Sequence, residues 1–291
     1  MLIIDRIAAQ GVNPVSGFFS IGFPAVTAFN GAAHMITRRL GALAGEQVDL
    51  KGFAIVVHSS RLRVHGKYKS RPTQKRYVHD VDGNPRQYHN HFSPPSEVMP
   101  QGDLVFSLAL DLELPAGAAG LLQDKSLADS IIEPRMLGGT VASIRGTRWK
   151  DTAVDAIRSM GSGWVMVDRS ADLIARALDV DPLEALLEIL ENNTTDGRMP
   201  NRRLAPTQTG WRAISDGALR AGSRDMETLH YFAEPVIGMA EFVRKHVALA
   251  DTSDPDHLIW RPIIDRESGH FYCAAAVIPP ERHTADTRTI S

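Results

Sequence analysis

The stretch RLRVHGKYKSRPTQKR, residues 61–76, holds seven Lys/Arg and neither Asp nor Glu. Arg61, Arg63, Lys67, Lys69, Arg71, Lys75 and Arg76 can neutralise phosphates, and Tyr68 and Tyr77 beside them can stack on bases. The whole chain carries 32 Lys/Arg against 34 Asp/Glu and a formal net charge of −2, so the body outside this run is acidic. A local positive field on an acidic body points to one anionic partner rather than to general adhesion. A solvated hairpin is the competing reading, and the lack of any acid in the run counts against it.

His58, His65, His79, His89 and His91 make five of the eleven histidines. Gly83, His89 and His91, with Glu97 beyond, look like the first metal motif of a cupin barrel. Five residues separate His91 from Glu97, more than that pattern allows, and no Pro-x-Gly-x-x-His follows. Ordinary loop histidines are the better reading, and neither a metal nor another cofactor is expected. His34 raises ribonuclease chemistry, because cleavage at a 2′-hydroxyl needs a base with a pKa of about 7. No second acid or base is spaced to join it, and the sequence contains no P-loop, G-x-S-x-G, His-Glu-x-x-His or Cys-x-x-Cys pattern. An endoribonuclease using His34 or His58, and a metal enzyme using His89 and His91, stand as the alternatives to a binding protein.

The elements that must position these groups begin with LIIDRIAAQGV (2–12), a strand broken by Asn13-Pro14 and Ser16-Gly17. Pro24 suits the first turn of a helix, and Gly41 and Gly45 mark its end. On that helix Ala25, Phe29, Ala32, Ala33, Ile36 and Leu40 share one side, while Thr27, Asn30, Gly31, His34 and Arg38 share the other. FAIVVHSSRLRVH (53–65) is rich in β-branched residues and reads as a strand from which Arg61 and Arg63 leave on one face. DLVFSLALDLEL (103–114) alternates strictly, with Leu104, Phe106, Leu108, Leu110, Leu112 and Leu114 pointing one way. AAGLLQDKSLADSIIEPR (118–135) reads as a helix stopped near Pro134. MLGGTVASIRG (136–146) is then a strand entered through Gly138-Gly139, a pair that lets another backbone approach closely. This β-α-β-β-α-β order is the split-βαβ, ferredoxin-like plan, with helices on one face of an antiparallel sheet.

Further on, GWVMVDRS (163–170) reads as a short strand ending in Ser170, the cap of the helix SADLIARAL. Asp181-Pro182-Leu183-Glu184 caps a helix running through PLEALLEILE. Residues 192–209 read as a polar linker, and 226–249 as a helix interrupted by Pro235. Cys273 sits in the apolar run HFYCAAAVI and reads as a packed thiol. A single cysteine excludes an intramolecular disulfide. No apolar run approaches the ~20 residues of a membrane helix, and no signal-peptide pattern opens the chain, so a cytoplasmic protein is expected.

Gly22-Phe23-Pro24, Ala28-Phe29, Gly31, His34 and Arg38-Arg39 together resemble the N-terminal signature of the Csy-two family. That family is the Cas-five-type RAMP subunit of the type I-F CRISPR surveillance complex. Arg6, Gln10 and Asn13 extend the match upstream. Gly138-Gly139, GWVMVDRS, Gly210-Trp211, Phe232, Glu234, Gly238 and Glu241 extend it downstream. The resemblance implies an α+β fold: an RRM/ferredoxin-like βαββαβ RAMP domain over residues 1–150, with the basic insertion 61–102 between strands two and three. A mixed helical C-terminal part, 151–291, packs on that core. It also implies a non-catalytic subunit of antiviral defence. Such a subunit binds the 5′ handle of the CRISPR RNA beside the large and backbone subunits, with target DNA reached via the complex.

The expected phosphate contacts are Arg38, Arg39, Arg61, Arg63, Lys67, Lys69, Arg71, Lys75, Arg76, Arg145 and Arg148. Tyr68 and Tyr77 are the stacking residues, and Gly138 and Gly139 give close backbone approach. Two roles stay open for the polar stripe of the first helix: holding the RNA strand, or holding the chain around Arg6 and Gln10.

Overall fold

In chain order, β1 (Leu2–Val12), α1 (Val26–Ala44), β2 (Asp49–Leu62) and β3 (Gly102–Glu113) build the first half of the fold. The structure is a computed structural model. It describes residues 1–17, 20–65, 71–72, 78–79, 85–86, 100–124, 126–195, 202–223, 225–250, 255–265 and 269–275. β3 lies between β1 and β2, antiparallel to both, with Leu2 opposite Leu110 and Phe53 opposite the same residue from the other side. Leu2, Ile4, Phe53, Ile55, Phe106 and Leu108 meet Val26, Phe29, Ala33, Ile36 and Leu40 of α1 in one core. The helical 3–4 spacing and the strand period of two thus present their apolar sets to each other. Phe29 packs edge-on against Phe106 at 5.4 Å and stacks on Phe23 at 5.6 Å. Gly45, at φ 69°, closes α1 by donating its N–H to the Gly41 carbonyl.

The stretch 118–135 departs from the single helix that its sequence predicts. A 3₁₀ segment, Ala116–Gln123, is followed by a separate α2, Leu127–Ile131. The break falls at Asp124, whose carboxylate accepts the N–H and hydroxyl of Ser126 and turns the chain. The expected strand 136–146 is likewise two strands, β4 (Gly139–Ser143) and β5 (Gly146–Trp149), both on the free edge of β1. Residues Arg135–Met136 form a hairpin with β4. The cause of the split is a bulge in β1: the register with β3 shifts between Ile4 and Ile7, and Arg6 takes φ 49°. The bulge resets the alternation, so that Ile4 and Ile7 both reach the α1 core.

The second half, expected as a mixed helical part packed on the core, continues the same sheet. Its elements are α3 (Ala153–Ser159), β6 (Trp164–Asp168), α4 (Ser170–Arg176) and α5 (Pro182–Thr195), then β7 (Leu204–Ala213) and β8 (Ala233–Arg244). They end with α6 (Lys245–Ala250), β9 (Arg261–Asp265) and β10 (His270–Ala274). The sheet order is β9-β10-β7-β8-β6-β2-β3-β1-β4 and then Arg135–Met136, with β5 also on β1. Two expectations fail here. Much of the stretch expected as helix over 226–249 is strand β8, and the last part of the expected linker 192–209 is strand β7, while α5 runs on to Thr195. Pro235 lies where β8 has β7 as its partner and β6 does not reach, a place where a strand tolerates proline.

This second half curls. Trp260, just before β9, exchanges both backbone hydrogen bonds with Phe53 of β2 at 2.8 Å. The ring of strands closes round the concave side where α1 sits, in contact with β7 and β10 as well as β2 and β3. Helices also occupy the reverse face, contrary to the one-faced plan. Ile3, Ala54, Val56 and Ala109 turn there and pack on Ala156 and Ile157 of α3 and Ala248 of α6. Small apolar side chains on that face of β1–β3 make the second helical layer fit. The buried Cys273 closes the α1 core as a packed thiol.

Candidate nucleic-acid interface

The β1 bulge turns a carboxylate inward and surrounds it with cations. Asp5 is 1% exposed. Its Oδ2 lies 3.0 Å from Arg148 Nη1 and 3.6 Å from Arg145 Nη1, both carried by the Arg145–Trp149 stretch that β5 holds against β1. Burial alone would raise the Asp5 pKa, but hydrogen bonds from Arg148 and Ser107 and the charges of Arg148 and Arg145 hold it below the usual carboxylate range. Ser107 of β3 is the hub. Its hydroxyl lies 2.9 Å from Asp5 Oδ1 and 2.7 Å from His58 Nε2, and it accepts the Arg6 N–H at 2.9 Å. His58 Nδ1 is 2.8 Å from the Ser162 carbonyl. Burial pushes the His58 pKa down, the Ser162 carbonyl pulls it up, and Arg6 depresses it again, leaving it below the ordinary value. Arg6 extends beneath Gly161, where an added Cβ would come within 2.6 Å of its Nη2. Its buried Nε has no hydrogen-bond partner among the described residues. Lys245 binds the carbonyls of Arg158 and Met160 at the same corner.

A groove of about 540 Å³ opens on the other side of the fold, lined by Thr27, Gly31 and Met35 of α1, Asn13, Gly138 and Trp211. Two residues of the α1 polar stripe thus face a cleft, while His34 and Arg38 point to solvent. Gly138 adopts φ 80°, which a side chain would strain, and its Leu137 neighbour accepts the Asn13 N–H at 2.9 Å. The close approach allowed by Gly139 is to β1 itself: a Cβ there would meet the Gln10 carbonyl at 2.5 Å and the Val12 nitrogen at 2.7 Å.

The remaining expected contacts lie elsewhere. Arg61 is exposed at the end of β2. Arg63 is held by Asp103, with Nη2 2.6 Å from Oδ1 and Nε 3.2 Å from Oδ2. Arg39 binds Glu133 and the Ser130 carbonyl, tying α1 to the chain after α2. Arg71 is described through its backbone pairing with His65. Lys67, Tyr68, Lys69, Lys75, Arg76 and Tyr77 lie outside the described residues, as do Gly83, His89, His91 and Glu97. Among the described residues no group of three His, Cys, Asp or Glu could hold a metal ion. Burial pushes the Cys273 thiol up to about 12, which removes it as a nucleophile. No helix among the described residues is long and apolar enough to cross a membrane.

The family model for CRISPR-associated protein (Cas_Csy2) matches residues 2–273. The chain belongs to the Cas_Csy2 family. CRISPR-associated protein Csy2 of Pseudomonas aeruginosa (strain UCBPP-PA14) is 23% identical over 319 residues, covering 90% of this chain and 94% of that protein. Some of the residues that carried the Csy2 resemblance fall in two places, while Phe29 is in the α1 core. Arg6 lies in the cationic corner, and Asn13, Gly31, Gly138 and Trp211 line the groove. Glu241 is spent on structure, accepting from Arg169 at 2.8 Å and Arg202 at 2.9 Å.

Two groupings are not visible in the sequence. Arg6 and Lys245 join Arg145 and Arg148 only because the bulge and the β6–β8 pairing bring them together. Trp164 of β6 carries Arg203 on its ring at 4.0 Å and Arg244 at 3.9 Å. The dipeptides Arg202-Arg203 and Arg244-Lys245 were a visible signal, but assigning 226–249 to a helix concealed that Arg244 sits directly opposite Trp164 in the sheet.

Proposed function

We propose that this chain is the guide-RNA subunit of a type I-F surveillance complex, binding the 5′ handle of the CRISPR RNA beside a large subunit and a backbone subunit. The observation that carries this reading is the cationic corner. Arg6, Arg145, Arg148 and Lys245 gather round one buried carboxylate, so the local charge is positive on an otherwise acidic chain. Arg145 is 61% exposed there and makes the longer of the two contacts to Asp5, so its outer edge can reach a phosphate while Arg148 holds Asp5. Membership of the Csy2 family supports the same conclusion. So does the strand order β4-β1-β3-β2 with α1 and α2 sharing one core, which is compatible with the split-βαβ RAMP domain inferred over residues 1–150. The groove beside Trp211 has the size and lining to take an unstacked base. The basic insertion, with Lys67, Lys69, Arg71, Lys75, Arg76, Tyr68 and Tyr77, adds phosphate and stacking contacts in this reading.

The subunit performs no cleavage of its own in this proposal. Both ring nitrogens of His58 are engaged, by Ser162 and Ser107, which leaves neither to take a proton from a 2′-hydroxyl. The test is to express the full chain with a CRISPR array and sequence the RNA that co-purifies. A small RNA of uniform 5′ end is expected, and Arg145→Glu or charge reversal at Lys67, Lys69 and Arg71 should weaken its retention. Retention of no RNA, or cleavage of repeat RNA lost on His34→Ala, overturns the reading.

A further inference from the structure

We propose that Arg203 and Arg244, both held over the ring of Trp164, form a clamp for the sugar–phosphate backbone of a nucleic acid. This rests on the RNA-binding reading and adds a site to it. Three chain segments converge to build the clamp. Trp164 opens β6, Arg244 ends β8 directly opposite it, and Arg203 enters β7 with its carbonyl accepting the Phe242 N–H at 2.9 Å. Each guanidinium carbon lies over the indole, at 4.0 and 3.9 Å from the ring centroid. Stacking fixes a guanidinium in orientation and leaves its N–H edge available for bidentate contact with a phosphate.

The neighbouring arginines give the contrast. Arg169 and Arg202 are both bound to Glu241, and Arg202 also reaches Asp172 at 3.3 Å. Among the described residues neither Arg203 nor Arg244 forms a salt bridge, and both are exposed. An arginine needed only for stability would gain from a counter-ion.

The position also fits. Trp164 pairs with Val57 of β2, the residue before His58. Gly163, which accepts the Lys245 N–H at 3.0 Å, packs so tightly that an added Cβ would meet the Val57 carbonyl at 2.5 Å. Successive strand residues face opposite ways, so the clamp lies across the sheet from the Arg6–Arg148 corner at the same strand end.

The shared chemistry is the phosphodiester, offered by the guide RNA or by target DNA. The experiment compares the full chain with Arg203→Met, Arg244→Met, the double Met variant and the double Lys variant. The probes are a synthetic single-stranded RNA and a duplex DNA of equal length, bound over a series of salt concentrations. Met keeps the indole covered without the charge, so an effect on packing alone would leave binding unchanged. Each lost contact should lower the log–log salt slope by about 0.7 on RNA, or about 0.9 on duplex DNA. The double Lys variant should recover the slope but not the full affinity. A change in the RNA arm alone assigns the clamp to the guide, and a change in the DNA arm alone assigns it to the target. Wild-type affinity and slope in both arms overturn the clamp, and the RNA reading survives if Arg145→Glu still weakens binding. A wild-type chain that binds neither probe overturns both.

Discussion

Arg148 Nη1 lies 3.0 Å from Asp5 Oδ2, joining β5 to the bulge of β1. This contact holds β5 on the edge of β1 and aims the cationic corner. Asp5→Ala should destabilise the fold by about 3 kcal/mol, the effect of leaving one partner of a buried pair alone. The folded pKa of Asp5 is below its ordinary 3.8, so its contribution is complete above that value and is lost as pH falls through the lower folded pKa. Urea unfolding from neutral pH downward checks this: the acid limb should be shallower in Asp5→Asn than in the native chain.

His58 gives a second pH dependence. Burial, opposed by the Ser162 carbonyl but aided by Arg6, holds its folded pKa below 6.5. The unfolded chain therefore binds the proton more readily. Stability should be full above pH 6.5 and decline below it until the folded pKa is reached. His58→Gln should remove that decline, as read from thermal midpoints across the range. A midpoint that rises on acidification would contradict the assignment.

Gly139 and Gly31 should respond oppositely to alanine. At Gly139 the new Cβ meets the β1 backbone at 2.5 Å, and neither the Gln10 carbonyl nor the Val12 nitrogen can move without breaking pairing. Destabilisation of about 3 kcal/mol is expected on denaturation. At Gly31 nothing lies within 4 Å, and the residue is in mid-helix, so alanine should stabilise by about 1 kcal/mol. If the groove takes a base, Gly31→Ala should also reduce RNA affinity, a loss unrelated to stability.

Trp260→Phe tests the closure of the curl. The indole N–H donates to the Met166 carbonyl at 2.9 Å from a fully buried position. Losing that bond and part of the ring should lower stability by about 2–4 kcal/mol. Chemical denaturation measures it.

Local periodicity sufficed for β1, α1 and β3. Their apolar residues recur at the strand and helix periods, and each buried set faces another element whatever the rest of the chain does. Family membership was legible in the same way, because Gly22-Phe23-Pro24 and the α1 stripe are contiguous in sequence. Tertiary contact alone decided β8 and β7: the residues around Pro235 and Pro206 suit several local structures, and they become strands because each pairs the other along its length. The cationic corner is also tertiary. Asp5, His58, Ser107, Arg148 and Lys245 come from five separate segments, and they meet only because a bulge at Arg6 splits the fourth strand and a curled sheet brings β8 beside β6. Charge pattern in a sequence shows where cations are plentiful, but which of them are neutralised depends on contacts between distant segments: Arg63 and Arg39 are bound to Asp103 and Glu133, whereas Arg203 and Arg244 are stacked on Trp164 without a salt bridge to any described residue.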